Sequence, residues 1–205
     1  MSTPYDGFLD APSTSASPFV GTLRLPDTDL PGAPSDVALR VVVTGGAGQV
    51  AGPLALAARR ELRLVALETS LRDDADPAAN ARRVVAACDA GGLPADVRLH
   101  VGVWGEPTPS WLAAADEVAA VDGALCLDLA STSSDGLAGW IDAALDREVP
   151  FSLRGGGVDD AVAALAVTAR LWGDAGDLDA ARRWCRSWAC DDLDAAEAHL
   201  RALTT

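Results

Sequence analysis

The chain has 205 residues, 49% of them hydrophobic and 22% charged, with a formal net charge of −14. That is the size and balance of one globular domain. The acidic excess argues against nucleic-acid partners and against adhesion to anionic membranes, both of which need clustered positive charge. All 16 basic residues are arginine, which excludes Schiff-base chemistry, pyridoxal attachment, a Walker lysine and a Tyr-x-x-x-Lys proton relay.

Residues 1–17, rich in Ser, Thr, Pro and Ala, read as a flexible N-terminal tail. The tail has no basic residue and no apolar run, so it does not read as a signal peptide. No apolar stretch reaches the ~18 residues of a membrane span. From residue 18, strand-like runs alternate with Ala-rich helical ones. Strands are expected near 19–25, 39–44, 62–69, 97–104, 124–130 and 149–154, and helices near 49–60, 76–90, 108–120, 134–147 and 158–172. Segment 26–38, with three prolines, reads as a loop. This alternation marks βαβ units and a parallel sheet over residues 18–175. Residues 176–205 show no strand pattern and read as a two-helix extension packed on the same domain.

Strand parity points to a barrel. Val97, Leu99, Val101 and Val103 alternate with Arg98, His100, Gly102 and Trp104. Leu125, Leu127 and Leu129 alternate with Ala124, Cys126 and Asp128, and Phe151 and Leu153 with Ser152 and Arg154. Arg24 and Arg40 fall on the polar parity of their own strands. Strands buried on both faces would read as near-continuous apolar runs. One apolar and one mixed face suits a parallel-strand (β/α) barrel with a polar lumen, TIM-like but reduced to about six strands, because a full eightfold barrel usually takes ~250 residues. An open Rossmann-like sheet is the alternative. On the barrel reading, Arg98 and Arg154 face the same lumen as Asp128, while Val101, Leu127 and Leu153 lie under helices.

Two glycine-rich turns follow strands. Val43-Thr44-Gly45-Gly46-Ala47-Gly48-Gln49-Val50-Ala51, with Glu68 after the next strand, resembles the fingerprint of extended short-chain dehydrogenases and their non-catalytic relatives. The resemblance implies NAD(P) binding, with Gly45, Gly46 and Gly48 approaching a pyrophosphate and Glu68 capping a ribose. It covers only residues 40–68, and the Tyr-x-x-x-Lys pair is absent. Tight NAD or NADP binding is not expected, because the flanking chain lacks room for a two-half fold. Phe151-Ser152-Leu153-Arg154-Gly155-Gly156-Gly157-Val158-Asp159-Asp160 resembles the phosphate loops of the histidine- and tryptophan-biosynthesis barrels. That resemblance implies an anion held by Gly155, Gly156, Gly157 and Arg154 at a helix N-terminus. The competing reading is that Asp159 or Asp160 caps the helix and occupies those amides.

A broader pattern comprises Pro18-Phe19-Val20-Gly21, the Ala66-Leu67-Glu68 strand and Val149-Pro150-Phe151-Ser152-Leu153-Arg154-Gly155-Gly156-Gly157. Over roughly residues 18–175 it resembles a group of uncharacterised bacterial barrel-like proteins. Their last strand carries a lysine after Pro-Phe and a Gly-Leu-His-His turn; here Ser152 and Gly156-Gly157-Val158 stand in those places. The resemblance supports the fold more than a chemistry.

In a parallel sheet the C-terminal strand ends share one rim, where sites are built. That rim gathers Thr44, Glu68, Trp104, Glu106, Asp128 and Arg154. Glu68 and Asp128 are candidate general bases or Mg²⁺ ligands, and His100 is a third catalytic candidate, although a mid-strand histidine is more often a hydrogen-bonded interior residue. Arg24, Arg40, Arg98 and His100 lie deeper, where they either attract a small anion, with Arg98 joining Arg154, or form an internal salt-bridge network. Cys88, Cys126, Cys185 and Cys190 lack Cys-x-x-Cys spacing and read as reduced thiols in a cytoplasmic protein without a zinc site; a Cys185–Cys190 bridge is the alternative. Trp172, Trp184 and Trp188 pack the C-terminal helices or form a homodimer face. The runs Asp73-Asp74-Ala75-Asp76 and Asp191-Asp192-Leu193-Asp194 read as helix starts. The sequence thus points to binding of a small phosphate- or carboxylate-bearing metabolite at the C-terminal rim. The alternatives are an NAD(P)-binding Rossmann-like protein without dehydrogenase residues and a non-catalytic homodimer. Whether the chain is an enzyme is left open.

Overall fold

The computed structural model describes residues 3–72, 75–173 and 175–204. Eight parallel strands form a closed ring in chain order: β1 (Leu9–Ala11), β2 (Val20–Pro26), β3 (Leu39–Val43), β4 (Leu64–Ser70), β5 (Arg98–Val103), β6 (Ala124–Asp128), β7 (Phe151–Arg154) and β8 (Cys185–Ala189). β1 closes the circuit by pairing with both β2 and β8. The fold is therefore a TIM-like barrel, and closure removes the open Rossmann-like alternative. The expectation of about six strands is corrected to eight. The two extra strands lie in segments read as a tail and as helices. β1 is only three residues long, too short to show alternation, and the Cys-Arg-Ser-Trp-Ala run of β8 sits between helical stretches.

Eight strands fit into 205 residues because the first two strand connections carry no α-helix. An irregular loop links β1 to β2, and a 3₁₀ turn at Leu30–Gly32 is the regular element between β2 and β3. The other strands are followed by α1 (Ala51–Arg59), α2 (Pro77–Ala90), α3 (Pro109–Ala119), α4 (Ser134–Asp146), α5 (Val158–Trp172) with the short α6 (Leu178–Ala181), and α7 (Leu193–Leu203). Leu30 is fully buried and closes the helix-free side. Arg60, just after α1, holds that turn by donating to the carbonyls of Leu30, Pro31 and Ala33 at 2.8, 2.7 and 3.1 Å.

Helix starts follow local chemistry. Pro77 and Pro109 open α2 and α3, where a missing N–H costs nothing. Asp76, Ser133 and Asp192 cap α2, α4 and α7 by accepting from Ala79, Gly136 and Ala195 amides. Asp73 and Asp74 lie outside the described residues. Val101, Leu127 and Leu153 are buried between sheet and helices as strand parity requires, joined by Leu67, Leu125 and Phe151. Trp104, Trp111 and Trp140 form a chain of edge-on contacts at 4.7 and 6.5 Å, and the buried Trp140 pins the turn after β5 by donating to Gly105 O at 2.9 Å. Among the described residues, no helix is long and apolar enough to cross a membrane.

The short first strand depends on a close backbone approach. A Cβ at Gly21 would stand 2.6 Å from the carbonyl oxygen of Gly7 and 3.3 Å from its Cα. Neither backbone atom can swing aside. Gly21→Ala is expected to destabilise the protein by about 1–3 kcal/mol, the usual range for overpacking. Urea denaturation measures this; a variant as stable as wild type would show that the approach of β1 to β2 is slack.

Candidate functional site

The lumen is polar because the inward positions alternate with the apolar ones under the helices. Its centre is Arg40 of β3, which is 1% exposed. Arg40 Nε donates to Glu68 Oε2 at 2.8 Å and Nη1 to Asp10 Oδ2 at 2.7 Å. Nη1 also reaches Ser187 Oγ at 3.2 Å, and Nη2 donates to Ser152 Oγ at 2.7 Å. One side chain thereby ties β3 to β4, β1, β8 and β7. Small inward residues (Ala66, Gly102, Ala124, Cys126, Ser152) leave it room.

Glu68, fully buried, collects three arginines. Arg24 binds it with two N–H groups, Nε to Oε2 at 3.0 Å and Nη2 to Oε1 at 2.8 Å. Arg154 Nη1 lies 3.8 Å from Oε1. Asp10, in turn, accepts from Ser187 Oγ at 2.6 Å and Thr22 Oγ1 at 2.5 Å. Burial would raise the Glu68 pKa, but Arg40, Arg24 and Arg154 outweigh it and hold the carboxyl well below the usual carboxylate range. Burial likewise opposes the charge of Arg40, yet Asp10 and Glu68 push its pKa above that of an ordinary arginine. Three arginines (24, 40, 154) face three carboxylates (Asp10, Glu68, Asp128), which makes this part of the lumen neutral.

The rim at the C-terminal strand ends is organised around Arg154 of β7. Its Nη1 donates to Ser70 Oγ at 2.6 Å, and Nη2 lies 3.3 Å from Asp128 Oδ2, while its buried Nε has no acceptor. The Arg154 and Arg24 side chains remain 19% and 26% exposed, so both reach the surface of the lumen. Gly155 and Gly156 both adopt φ +64°, and a Cβ at Gly156 would meet Leu129 Cβ at 2.9 Å, so this turn needs glycine. Trp188 Nε1 fixes the turn by donating to Gly155 O at 3.0 Å. Gly157 N donates to Asp160 Oδ2 at 2.8 Å, so an internal carboxylate already takes that amide of the helix start.

The structure brings Asp128 and Arg154 together at the C-terminal rim, buries Glu68 beneath them in the lumen in register with His100 instead of at the rim, and sends Arg98 to the other end. Arg98 opens β5 at the N-terminal mouth, exposed, with Nη1 donating to Asp122 O at 3.0 Å. His100 is buried mid-lumen with Nδ1 3.0 Å from Ser152 Oγ, and burial, reinforced by Arg40, pushes its pKa well below 6.5. The His100–Ser152 pair has base–nucleophile spacing, but both groups are enclosed and Ser152 is already engaged by Arg40. Thr44 Oγ1 is held by Asp27 Oδ1 at 2.7 Å, and Glu106 accepts from the α4 cap Ser133 at 2.7 Å. Gly45, Gly46 and Gly48 lie on the turn from β3 into the 3₁₀ start of α1, with Gly46 at φ +73° beside the Arg72 side chain. The four cysteines are free and buried, and burial pushes Cys126 up to about 11. Among the described residues no group of three or more His, Cys, Asp or Glu side chains is gathered to hold a metal.

Asp10, Ser70 and Ser187 are site residues that the sequence reading passed over. One signal was present: four inward arginines against two recognised carboxylates called for another buried acid.

Two outcomes follow from this geometry. Arg40→Ala strands Asp10 and Glu68 without their shared partner and is expected to cost about 3–5 kcal/mol, which is roughly a 10 °C fall in Tm for a domain of this size. The His100 imidazole stays neutral in the fold, whereas the unfolded chain takes up a proton below about pH 6.5. The unfolded state then binds more protons, so the contribution of His100 is full above that pH and drains as pH falls. His100→Gln should therefore flatten the loss of stability between about pH 7 and about pH 5 in urea titrations; an unchanged slope would place the titration elsewhere.

Comparison with protein-family models, curated proteins and solved structures finds no match, so the chemistry of the rim is read from the groups it presents.

Proposed function

We propose that the protein is a cytoplasmic binder of a small phosphate- or carboxylate-bearing metabolite, held at the C-terminal rim with Arg154 as the principal charged contact and Arg24 beside it. The observation that carries this reading is the contrast between two arginines of one network. Each guanidinium nitrogen of Arg40 has an acceptor within 3.2 Å, and the group is sealed. Arg154 is partly exposed, has one close acceptor in Ser70, longer pairings to Asp128 and Glu68, and an Nε with none. The buried Nε lies out of a ligand's reach, but the Nη groups keep N–H donors beyond Ser70 and Asp128, and such spare donors on a partly exposed guanidinium at a barrel rim suit a planar or tetrahedral oxyanion. Arg24 and Arg154 approach the same oxygen of Glu68, so a ligand above that carboxylate meets both. With Asp160 on the Gly157 amide, the arginines rather than the helix end supply the charge. Glu68 is a poor base or metal ligand, since both its oxygens are ion-paired. Four free, buried thiols support a reducing compartment.

A charge-assisted hydrogen bond contributes roughly 1.5–3 kcal/mol, so Arg154→Ala should weaken binding about tenfold to a hundredfold. Calorimetry against sugar phosphates and small carboxylic acids checks this. Failure of wild type to bind any of them, or equal binding by Arg154→Ala, would leave the rim as the upper edge of a structural network.

A further inference from the structure

The opposite mouth of the barrel is built differently. Arg98 begins β5 on the lumen-facing parity, and Arg186 lies at the start of β8. The β7–β8 register shifts between Phe151 and Leu153: Phe151 pairs with Cys185, but Leu153 pairs with Trp188. This bulge sets Arg186 and Ser187 together opposite Ser152, and a bulge re-aims the side chains it carries. Ser187 reaches Arg40 and Asp10 in the lumen, while Arg186 is left exposed at the mouth. The Arg186 backbone is clamped from behind by Arg182, which donates to the carbonyls of Cys185 and Arg186 and lies over the Phe8 ring at 4.8 Å. Arg183 precedes β8 and is also exposed.

Among the described residues, none of Arg98, Arg183 and Arg186 forms an ion pair with a carboxylate. In a chain with 30 acidic residues against 16 arginines, such a cluster is unexpected. The groups feel one another: partial burial and then Arg98 and Arg183 lower the pKa of Arg186. Buried His100, two residues beyond Arg98 on β5, lies 3.0 Å from Ser152, the residue that Arg186 and Ser187 stand opposite, and Arg40, Arg98 and Arg186 all oppose its protonation. β5 and β8 are separated in the ring by β6 and β7, so Arg98 and Arg186 come to this mouth from strands that do not share an edge. The neighbouring Asp122 offers Arg98 its carbonyl and not its carboxylate.

We infer that the N-terminal mouth is a second anion site, in which Arg98 and Arg186, supported by Arg183, bind the phosphate group of a compact polyanion. A dianionic or polyanionic group fits best, because it neutralises several mutually repelling guanidinium groups at once and can take forked N–H donors from two sides. A nucleic-acid strand does not fit, since the remainder of the surface is strongly acidic. Relief of the repulsion also stabilises the fold, as any ligand specific to the native state does.

Pyrophosphate is the probe. Wild type should bind it in calorimetry and show a raised Tm in its presence. The double variant Arg98→Gln/Arg186→Gln, altered only at exposed positions, should lose at least about tenfold in affinity and lose the Tm shift. Arg154→Ala, at the other end of the barrel, should bind pyrophosphate like wild type, which separates this site from the rim. Absence of pyrophosphate binding to wild type overturns the inference. So does unchanged binding by the double variant, or loss of binding through Arg154→Ala alone.

Discussion

One buried cation organises this barrel. Arg40 touches groups on four other strands, and its two carboxylate partners come from β1 and β4. A buried guanidinium without partners is prohibitive, so strands bearing Asp10 and Glu68 must both be in place before the network is favourable. The short β1, with three residues of ladder, is anchored beyond its backbone pairing by Asp10, which Arg40, Ser187 and Thr22 all engage. Such a network contributes little net stability relative to a well-packed apolar core. Its consequence is register: a one-residue slip of β1, β2, β3, β4 or β7 would turn an arginine or a carboxylate towards the apolar helices.

The same network explains why the two mouths differ. On the C-terminal side the arginines are matched by Glu68 and Asp128, so the rim is close to neutral and its capacity for a ligand lies in spare hydrogen-bond donors. On the N-terminal side no such matching is made: among the described residues Arg98, Arg183 and Arg186 form no ion pair with a carboxylate. The first arrangement favours geometric recognition of one oxyanion; the second favours charge.

Most of the fold was legible because the central strands alternate cleanly. Val97 to Val103 and Leu125 to Leu129 announced one apolar and one polar face, and the inward placement of Arg24, Arg40, His100, Asp128 and Arg154 follows from that parity. β1 and β8 were not legible. Three residues carry no periodicity, and a bulge in β8 breaks the period of two at the place where alternation would have been read. The lumen site was half visible for the same reason. Arg98 shares the parity of Arg154, but parity gives a face and not a height, and the register sets the two at opposite ends. The two glycine turns were visible as turns; that the Gly157 amide is occupied depends on Asp160 folding back, which spacing alone offered only as one of two readings.

Net charge and local charge pull in opposite directions here. At physiological ionic strength the Debye length is about 8 Å, so distant surface carboxylates contribute little once an anion sits against a guanidinium. They matter during approach, when the field of a −14 chain repels it. Added salt screens that approach barrier as well as the contact itself. Anion binding by such a chain should therefore depend less steeply on salt than binding by a basic protein with the same arginines. The lysine-free composition works in the same sense: guanidinium groups are weakly hydrated and forked, and they recognise oxyanions by shape where a scattered surplus of positive charge is missing.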